Sequence, residues 1–258
     1  AMTTSSTLPP SDGSARSRRI GFVSTRFAGT DGVSLETAKW ATVLERLGHT
    51  CFYFAGECDR PADRSHVVPL AFYRHPEIAA LNDLAYPAET AAAAAPVDAV
   101  GQDRLPRSTA VRPAAMTDRI HALREHLKGE LRAFVARFEI ELLVIENASS
   151  IPLNLPLGLA IAELVAETGI PTIAHHHDFA WERQRFLVNC VPDVLAAAFP
   201  PNHPAIHHVV INSMQARDLA SRNGLTARVI PNVMELEVPP GPPAIPGLGT
   251  GAGFTLQL

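Results

Sequence analysis

Seven short apolar runs, separated by stretches with helical spacing, constrain this chain more than any other feature. The runs lie at residues 19–24, 50–55, 67–70, 141–146, 170–175, 208–212 and 227–230. Between the first two, Leu35, Ala38, Trp40, Ala41, Val43, Leu44 and Leu47 recur at a helical period, with Ser34 as the expected cap and Gly48 as the stop. From Thr117, the residues Ile120, Leu123, Leu127, Leu131, Phe134, Val135 and Phe138 give a long helix one apolar face. Further helices are expected over 155–168, stopped by Gly169, and from Ser213 to Gly224. Strands that are apolar nearly throughout are buried on both faces. Strand and helix in alternation therefore imply an α/β, Rossmann-like, doubly wound and mostly parallel sheet.

The chain has 258 residues, 47% hydrophobic and 19% charged, which is enough to bury a full core. Its net charge of -4 provides no broad basic field, so nucleic acid is not an expected partner. No stretch reaches the roughly 18 consecutive apolar residues of a membrane span. Peripheral membrane contact stays open. Three cysteines without metal-type spacing, and no secretory signal core, read as reduced thiols in the cytoplasm. Residues 1–18, rich in Ser, Thr, Pro and Arg, read as a disordered leader, with Ala1 ahead of Met2 as an expression scar. The pattern dissolves over 85–115 into a flexible excursion. After Met234 the chain turns proline-rich and then glycine-rich, so 19–234 read as the domain and 235–258 as a linker with the start of a further domain.

In a parallel sheet, ligands bind beyond the carboxyl ends of the strands. Four polar segments should meet there: 29–34, Glu146 with Asn147, 175–178, and Asn212 with Ser213. The loop Gly29-Thr30-Asp31-Gly32 runs from a strand into a helix N-terminus and reads either as an ordinary capped turn or as a cradle for a diphosphate. The dinucleotide fingerprint G-x-G-x-x-G is absent. Nucleophile-elbow and P-loop motifs are absent as well. Of the three adjacent histidines, His175 and His177 share a strand face, so all three cannot address one metal ion. His177 is expected to pair with Asp178, which would orient its imidazole toward a substrate hydroxyl or donor carbonyl. Trp181 with Glu182, Arg183 and Arg185 suits polyol recognition or, equally, a salt-bridged helix start. Glu146 and Asn147, closing their strand, suit hydrogen bonds to ligand hydroxyls or to neighbouring backbone.

At these residues the chain resembles the N-terminal half of a retaining glycosyltransferase of the GT-B fold, family 4 type. The resemblance covers about residues 19–234. It rests on the loop Gly29-Thr30-Asp31-Gly32-Val33-Ser34, the helix ending Leu44-Glu45-Arg46-Leu47-Gly48-His49, the strand-end His177-Asp178, and the passage from Val210-Ile211-Asn212-Ser213 to Val229-Ile230-Pro231-Asn232-Val233. Val233 stands where such enzymes commonly have glycine. The resemblance implies a nucleotide-sugar donor, a small-molecule or glycan acceptor, and transfer with retention that needs neither metal ion nor cofactor. It places Gly29, Thr30, Asp31 and Gly32 against the donor diphosphate, and His177 and Asp178 at the transferred sugar. Glu146, Asn147, Trp181 and Arg185 are the acceptor candidates. Such enzymes carry further donor-binding residues in a C-terminal domain, and this chain ends before them, so this half is expected to be inactive alone. Two other readings stay open: a nucleotide-sugar epimerase or phosphorylase with a similar half, and a stand-alone Rossmann-like module that binds a phosphorylated ligand.

Overall fold

The computed structural model describes residues 16–87, 107–108 and 112–232, the pair 107–108 by backbone only. Residues 1–15 of the expected leader, most of the 85–115 excursion and the expected linker at 235–258 lie outside the described residues.

The sheet strands are β1 (Arg19–Val23), β2 (Thr50–Ala55), β3 (Ser65–Val67), β4 (Leu142–Glu146), β5 (Thr172–His176), β6 (Ile206–Val210) and β7 (Ala227–Val229). They form one sheet in the order β7-β6-β5-β4-β1-β2-β3, and every pairing is parallel. This is the doubly wound α/β arrangement expected from the apolar runs. The order reverses between β1 and β4. There the chain leaves the two strands in opposite directions, and a crevice opens beyond their carboxyl ends.

Helix α1 (Gly32–Arg46) packs its Trp40, Ala41 and Leu44 on one face of the sheet, against Ile20, Phe22, Cys51, Tyr53 and Val144. On the other face, α3 (Ala114–Arg137) and α4 (Leu155–Thr168) bring Leu127, Leu131, Phe134, Leu157 and Ile161 against Val23, Phe54, Leu143 and Ile145. The smaller helices are α2 (Pro76–Ala85), α5 (Pro192–Ala198) and α6 (Ser213–Asn223). Two short parallel pairs, 26–27 with 57–58 and 107–108 with 188–189, lie outside the main sheet.

Two helix starts shift by one polar residue or more from their expected caps. Asp31, not Ser34, caps α1: its carboxylate accepts from the Ser34 N–H at 3.0 Å and the Ser34 hydroxyl at 2.8 Å. Asn212, not Ser213, caps α6 by accepting from the Gln215 N–H at 2.9 Å. In each case the residue in extended conformation reaches the orphan N–H groups of the first turn better than one already wound into the helix. The long helix starts at Ala114, ahead of Thr117, because Pro113 serves as its extended N-cap residue and the turn before the first periodic residue is filled by alanines and Met116. The expected third run is split, with strand at 65–67 and a 3-10 turn at Pro69–Ala71, since Pro69 has no N–H to extend a ladder. The periodic pattern did not reveal α5, a short helix begun by Pro192. Cys51, Cys58 and Cys190 are free, and burial pushes the Cys51 thiol up to about 12. No helix among the described residues is long and apolar enough to cross a membrane.

Candidate active site

The crevice at the switch point is a cleft of about 330 Å³. Ser24, Thr25, Arg26, Asp31 and Val33 line it from the chain after β1, and Glu146, Asn147, Ala148, Ile151 and Leu153 from the chain after β4. Tyr73 and the segment holding Arg183, Arg185 and Phe186 close it.

Its most ordered part is built on Glu146. The last residue of β4 is fully buried, and one oxygen, Oε2, accepts from His175 Nδ1 at 3.0 Å and His177 Nε2 at 3.2 Å. Burial alone would push this carboxyl up, yet the two imidazole hydrogen bonds outweigh it and hold the group below its ordinary value of 4.5. Glu146 therefore stays an anion in a dry place. Its second oxygen, Oε1, has no hydrogen-bond partner among the described residues. His175 is clamped further by the Trp40 ring of α1, stacked at 4.5 Å. The expected sharing of one face by His175 and His177 holds, while His176 points the other way and bonds His208 at 2.9 Å.

His177 is held on three sides. Asn147 Oδ1 accepts its N–H at 3.0 Å, Gln215 Nε2 donates to its carbonyl at 2.9 Å, and Glu146 takes the ring. Its side chain keeps 11% exposure, which leaves it the open member of the trio. The carboxylate that orients His177 is thus Glu146, not the neighbouring Asp178. Asp178 instead accepts from Asn147 Nδ2 at 2.9 Å and pairs with Arg183. The reason is geometric: adjacent residues leave a strand on opposite sides, whereas the end of β4 lies directly beside β5. Asn147 takes a left-handed turn, φ +60°, which aims its amide across to the β5 loop.

The loop at 29–32 is partly occupied by its own groups. Gly29, at φ +74°, donates its N–H to Asp59 Oδ2 at 2.9 Å. Asp31 fills the α1 N-terminus as cap and lies 3.6 Å from Arg26, which also pairs with Glu57 at 2.8 Å. The N–H groups of Thr30, Asp31 and Gly32 have no acceptor among the described residues. A side-chain atom added at Gly32 would meet nothing within 4 Å, so this corner stays open to an approaching ligand.

Of the sequence candidates, Asp31, Glu146, Asn147 and Arg185 line the cleft, and His177 and Asp178 adjoin it through Glu146 and Asn147. Gly29, Thr30 and Gly32 flank Asp31 at the exposed rim. Trp181 stands apart: it stacks on Phe179 at 4.3 Å, packs near Val210 and Leu219, and carries the Arg222 guanidinium over its ring. The sequence reading did not single out Ser24, Thr25, Arg26 or Tyr73. The first three follow β1 directly, so the strand-end rule that found Glu146 would have reached them too. One ligand atom each from Glu146, His175 and His177 lie within 4.8 Å of one another, a donor set of the kind zinc takes. Here one carboxylate oxygen, Oε2, holds one ring nitrogen of each histidine, while Oε1 and His175 Nε2 have no hydrogen-bond partner among the described residues.

Comparison with known proteins gives two relatives. The chain is similar to mannosylglucosylglycerate synthases. It is 26% identical over 219 residues to the one of Petrotoga mobilis, and 28% identical over 211 residues to the one of Thermotoga maritima. The matches cover 84% and 81% of this chain but 45% and 43% of those proteins, so the chain spans less than half their length. No protein-family model matches. Among solved structures, the zinc-inhibited form of teicoplanin deacetylase Orf2 aligns with 60% of this chain and 65% of its own at 14% identity and a TM-score of 0.30, too little to argue from.

Proposed function

We propose that this chain is the N-terminal, acceptor-binding half of a cytoplasmic glycosyltransferase of the GT-B, family 4 type, which uses a nucleotide-sugar donor and retains anomeric configuration. The observation that supports the reading is the similarity to two mannosylglucosylglycerate synthases over 84% and 81% of this chain. The relatives' names make a mannosyl nucleotide and glucosylglycerate the first donor and acceptor to try.

In this reading the sugar C1–O bond to the diphosphate breaks while the acceptor oxygen bonds C1 on the same face. The acceptor proton passes to the departing diphosphate. Backbone N–H groups at Thr30, Asp31 and Gly32, with the α1 N-terminus behind them, stabilise the charge that gathers on that leaving group. His177, held by Glu146, presents its second ring nitrogen to the transferred sugar, and Asp178 supports the loop that carries it. Asn147 and Arg185 face the acceptor. Trp181 acts at a distance, by packing the segment that carries Arg183 and Arg185. The nucleotide belongs to the part of the relatives that lies outside the matched half. No metal ion enters the scheme.

The test is transfer and donor hydrolysis with a panel of nucleotide-sugars, chelator present, on this chain and on a version extended by the region in which the relatives are longer. Turnover in the extended form alone is the expected result. Absence of turnover and of nucleotide-sugar binding in both forms would favour a stand-alone module for a phosphorylated ligand.

A further inference from the structure

The cluster built on Glu146 is short of positive charge and of donors. Glu146 is fully buried, and its ion-pair partners among the described residues are two imidazoles. Neutral imidazoles donate hydrogen bonds but leave the charge of a carboxylate uncompensated in a dry place. Both of them also address one oxygen: Oε2 takes His175 Nδ1 at 3.0 Å and His177 Nε2 at 3.2 Å, while the buried Oε1 has no partner among the described residues. Two nitrogens and an oxygen drawn together in this way are a ligand set. Zinc holds nitrogen and oxygen at about 2.0–2.2 Å, so two ligand atoms on a tetrahedral ion stand about 3.3 Å apart. The two separations from Oε2 come close to that spacing. The ring nitrogens, within 4.8 Å of each other, need to close by about 1.5 Å or less. The surroundings are already rigid: the Trp40 ring stacks on His175 at 4.5 Å, and Asn147 and Gln215 hold the backbone of His177. An ion has a way in, because Glu146 borders the cleft and the His177 side chain keeps 11% exposure.

We propose that Glu146, His175 and His177 form a site for zinc or a similar transition-metal dication, and that the bound ion inhibits the protein. Binding stands on the geometry of the three residues; inhibition rests on the reading of this cleft as that of a glycosyltransferase. Two imidazoles and a carboxylate suit a borderline ion such as zinc, whereas magnesium and calcium take oxygen ligands. Neutral rings coordinate with no net loss of protons, His175 carrying its proton at Nε2 and His177 at Nδ1. His175 Nε2 has no partner among the described residues, so the proton's arrival there breaks no hydrogen bond. The two hydrogen bonds to Oε2 are exchanged for three bonds to the ion, and a further position on it is left for water. The dication turns the local charge from negative to positive beside the sugar that His177 faces. Cleavage at a sugar C1 passes through an oxocarbenium-like transition state, which a nearby cation opposes. The ion is thus no part of the transfer and has to leave before it proceeds.

Zinc and cobalt(II) are titrated into this chain, freed of metal beforehand, in competition with a chromophoric chelator. The unaltered chain is compared with Glu146→Gln, with His177→Ala and with His207→Ala, a change at an exposed histidine away from the cluster. Circular dichroism verifies the fold, and His177→Ala, at the partly open member of the trio, keeps the test available should Glu146→Gln fail to fold. The unaltered chain is expected to bind one zinc, and cobalt in its place to give the visible absorption of a low-coordinate site. Loss of an outer-shell partner alone costs about 10–100-fold in metal affinity, so loss of a ligand in His177→Ala should cost about 100-fold or more. His207→Ala should leave affinity unchanged, and excess magnesium should not displace the zinc. Failure to bind one equivalent, unchanged affinity in folded His177→Ala, or equal competition by magnesium would each overturn the site. In the extended form, zinc should abolish transfer over the concentrations at which it binds, and chelator should restore it. Undiminished transfer with zinc bound would overturn the inhibition. Zinc bound by the cluster, with no transfer in any form even under chelator, would sink the glycosyltransferase reading and leave the metal site standing.

Discussion

Replacing Glu146 by glutamine changes the charge at the centre of the site while keeping its shape. In the native protein one carboxylate oxygen accepts from two imidazoles, at 3.0 and 3.2 Å, with no exposure to water. Hydrogen bonds to a charged group contribute about 1.5–3 kcal/mol each, and neutral ones about 1 kcal/mol. Glutamine keeps an acceptor oxygen, but its amide hydrogens must face a ring nitrogen or stay unpaired. It also spares the protein the burial of a charge, which offsets part of the loss. The net cost at neutral pH is therefore about 2 kcal/mol, or a melting temperature lower by roughly 4–8 °C for a domain of this size. The pH dependence separates this account from a simple packing defect. A carboxyl held below its ordinary value contributes stability that is fully present above that value, 4.5, and is lost as pH falls through the lowered one. The difference between Glu146→Gln and the native protein should shrink as urea unfolding is repeated from neutral pH down to about pH 3.5. A difference that stays constant across this range, or is absent at neutral pH, would refute the argument that a buried anion organises the two histidines.

Gly32→Val places a branched side chain in open space at the first turn of α1, so stability should stay within about 0.5 kcal/mol while donor use by the extended form falls about 100-fold; unchanged donor kinetics would remove the diphosphate from this loop. His208 is pushed by burial to about 4, and its partner His176 is also held well below the ordinary histidine value, again by burial first. The fold thus favours neutral rings, and stability should decline as pH falls from the unfolded histidine value of 6.5 toward 4, by about 2 kcal/mol between pH 7 and pH 5 from His208 alone. His208→Gln should flatten that slope in denaturation curves, and an unchanged slope would count against it. In Gly158→Ala the new methyl would sit 2.1 Å from Phe199 Cζ, where α4 meets a buried ring, so a loss of about 1–3 kcal/mol is expected despite the better helix propensity of alanine. A gain in thermal stability would show that Phe199 moves freely.

Much of the fold is written locally. Residues 50–55 and 155–168 have the expected extents, because an apolar run between polar turns and a helix closed by Gly169 in the left-handed conformation need only their own neighbours. The direction and winding of the sheet follow from the same alternation, since parallel strands joined by helices have few ways to cross over. That rule also puts the ends of β1, β4 and β5 at one edge, and hence Asp31, Glu146, Asn147 and His177 in one neighbourhood. The caps fall at Asp31 and Asn212, ahead of the expected Ser34 and Ser213, because several polar side chains close together can each serve, and the choice depends on backbone angles that the sequence alone does not state.

Pairings across the sheet were decided by the tertiary structure alone. The sequence put Asp178 next to His177, but β4 alongside β5 delivered Glu146, separated by 31 residues, to the imidazole instead. The chain around Trp181 turned its indole into the Phe179 and Leu219 cluster and left Arg185 facing the cleft. Local sequence determines which segments become strands and helices, because period and capping act over a few residues. Which charge meets which depends on strand register and loop direction, and those are set only when the two faces of the sheet have been covered.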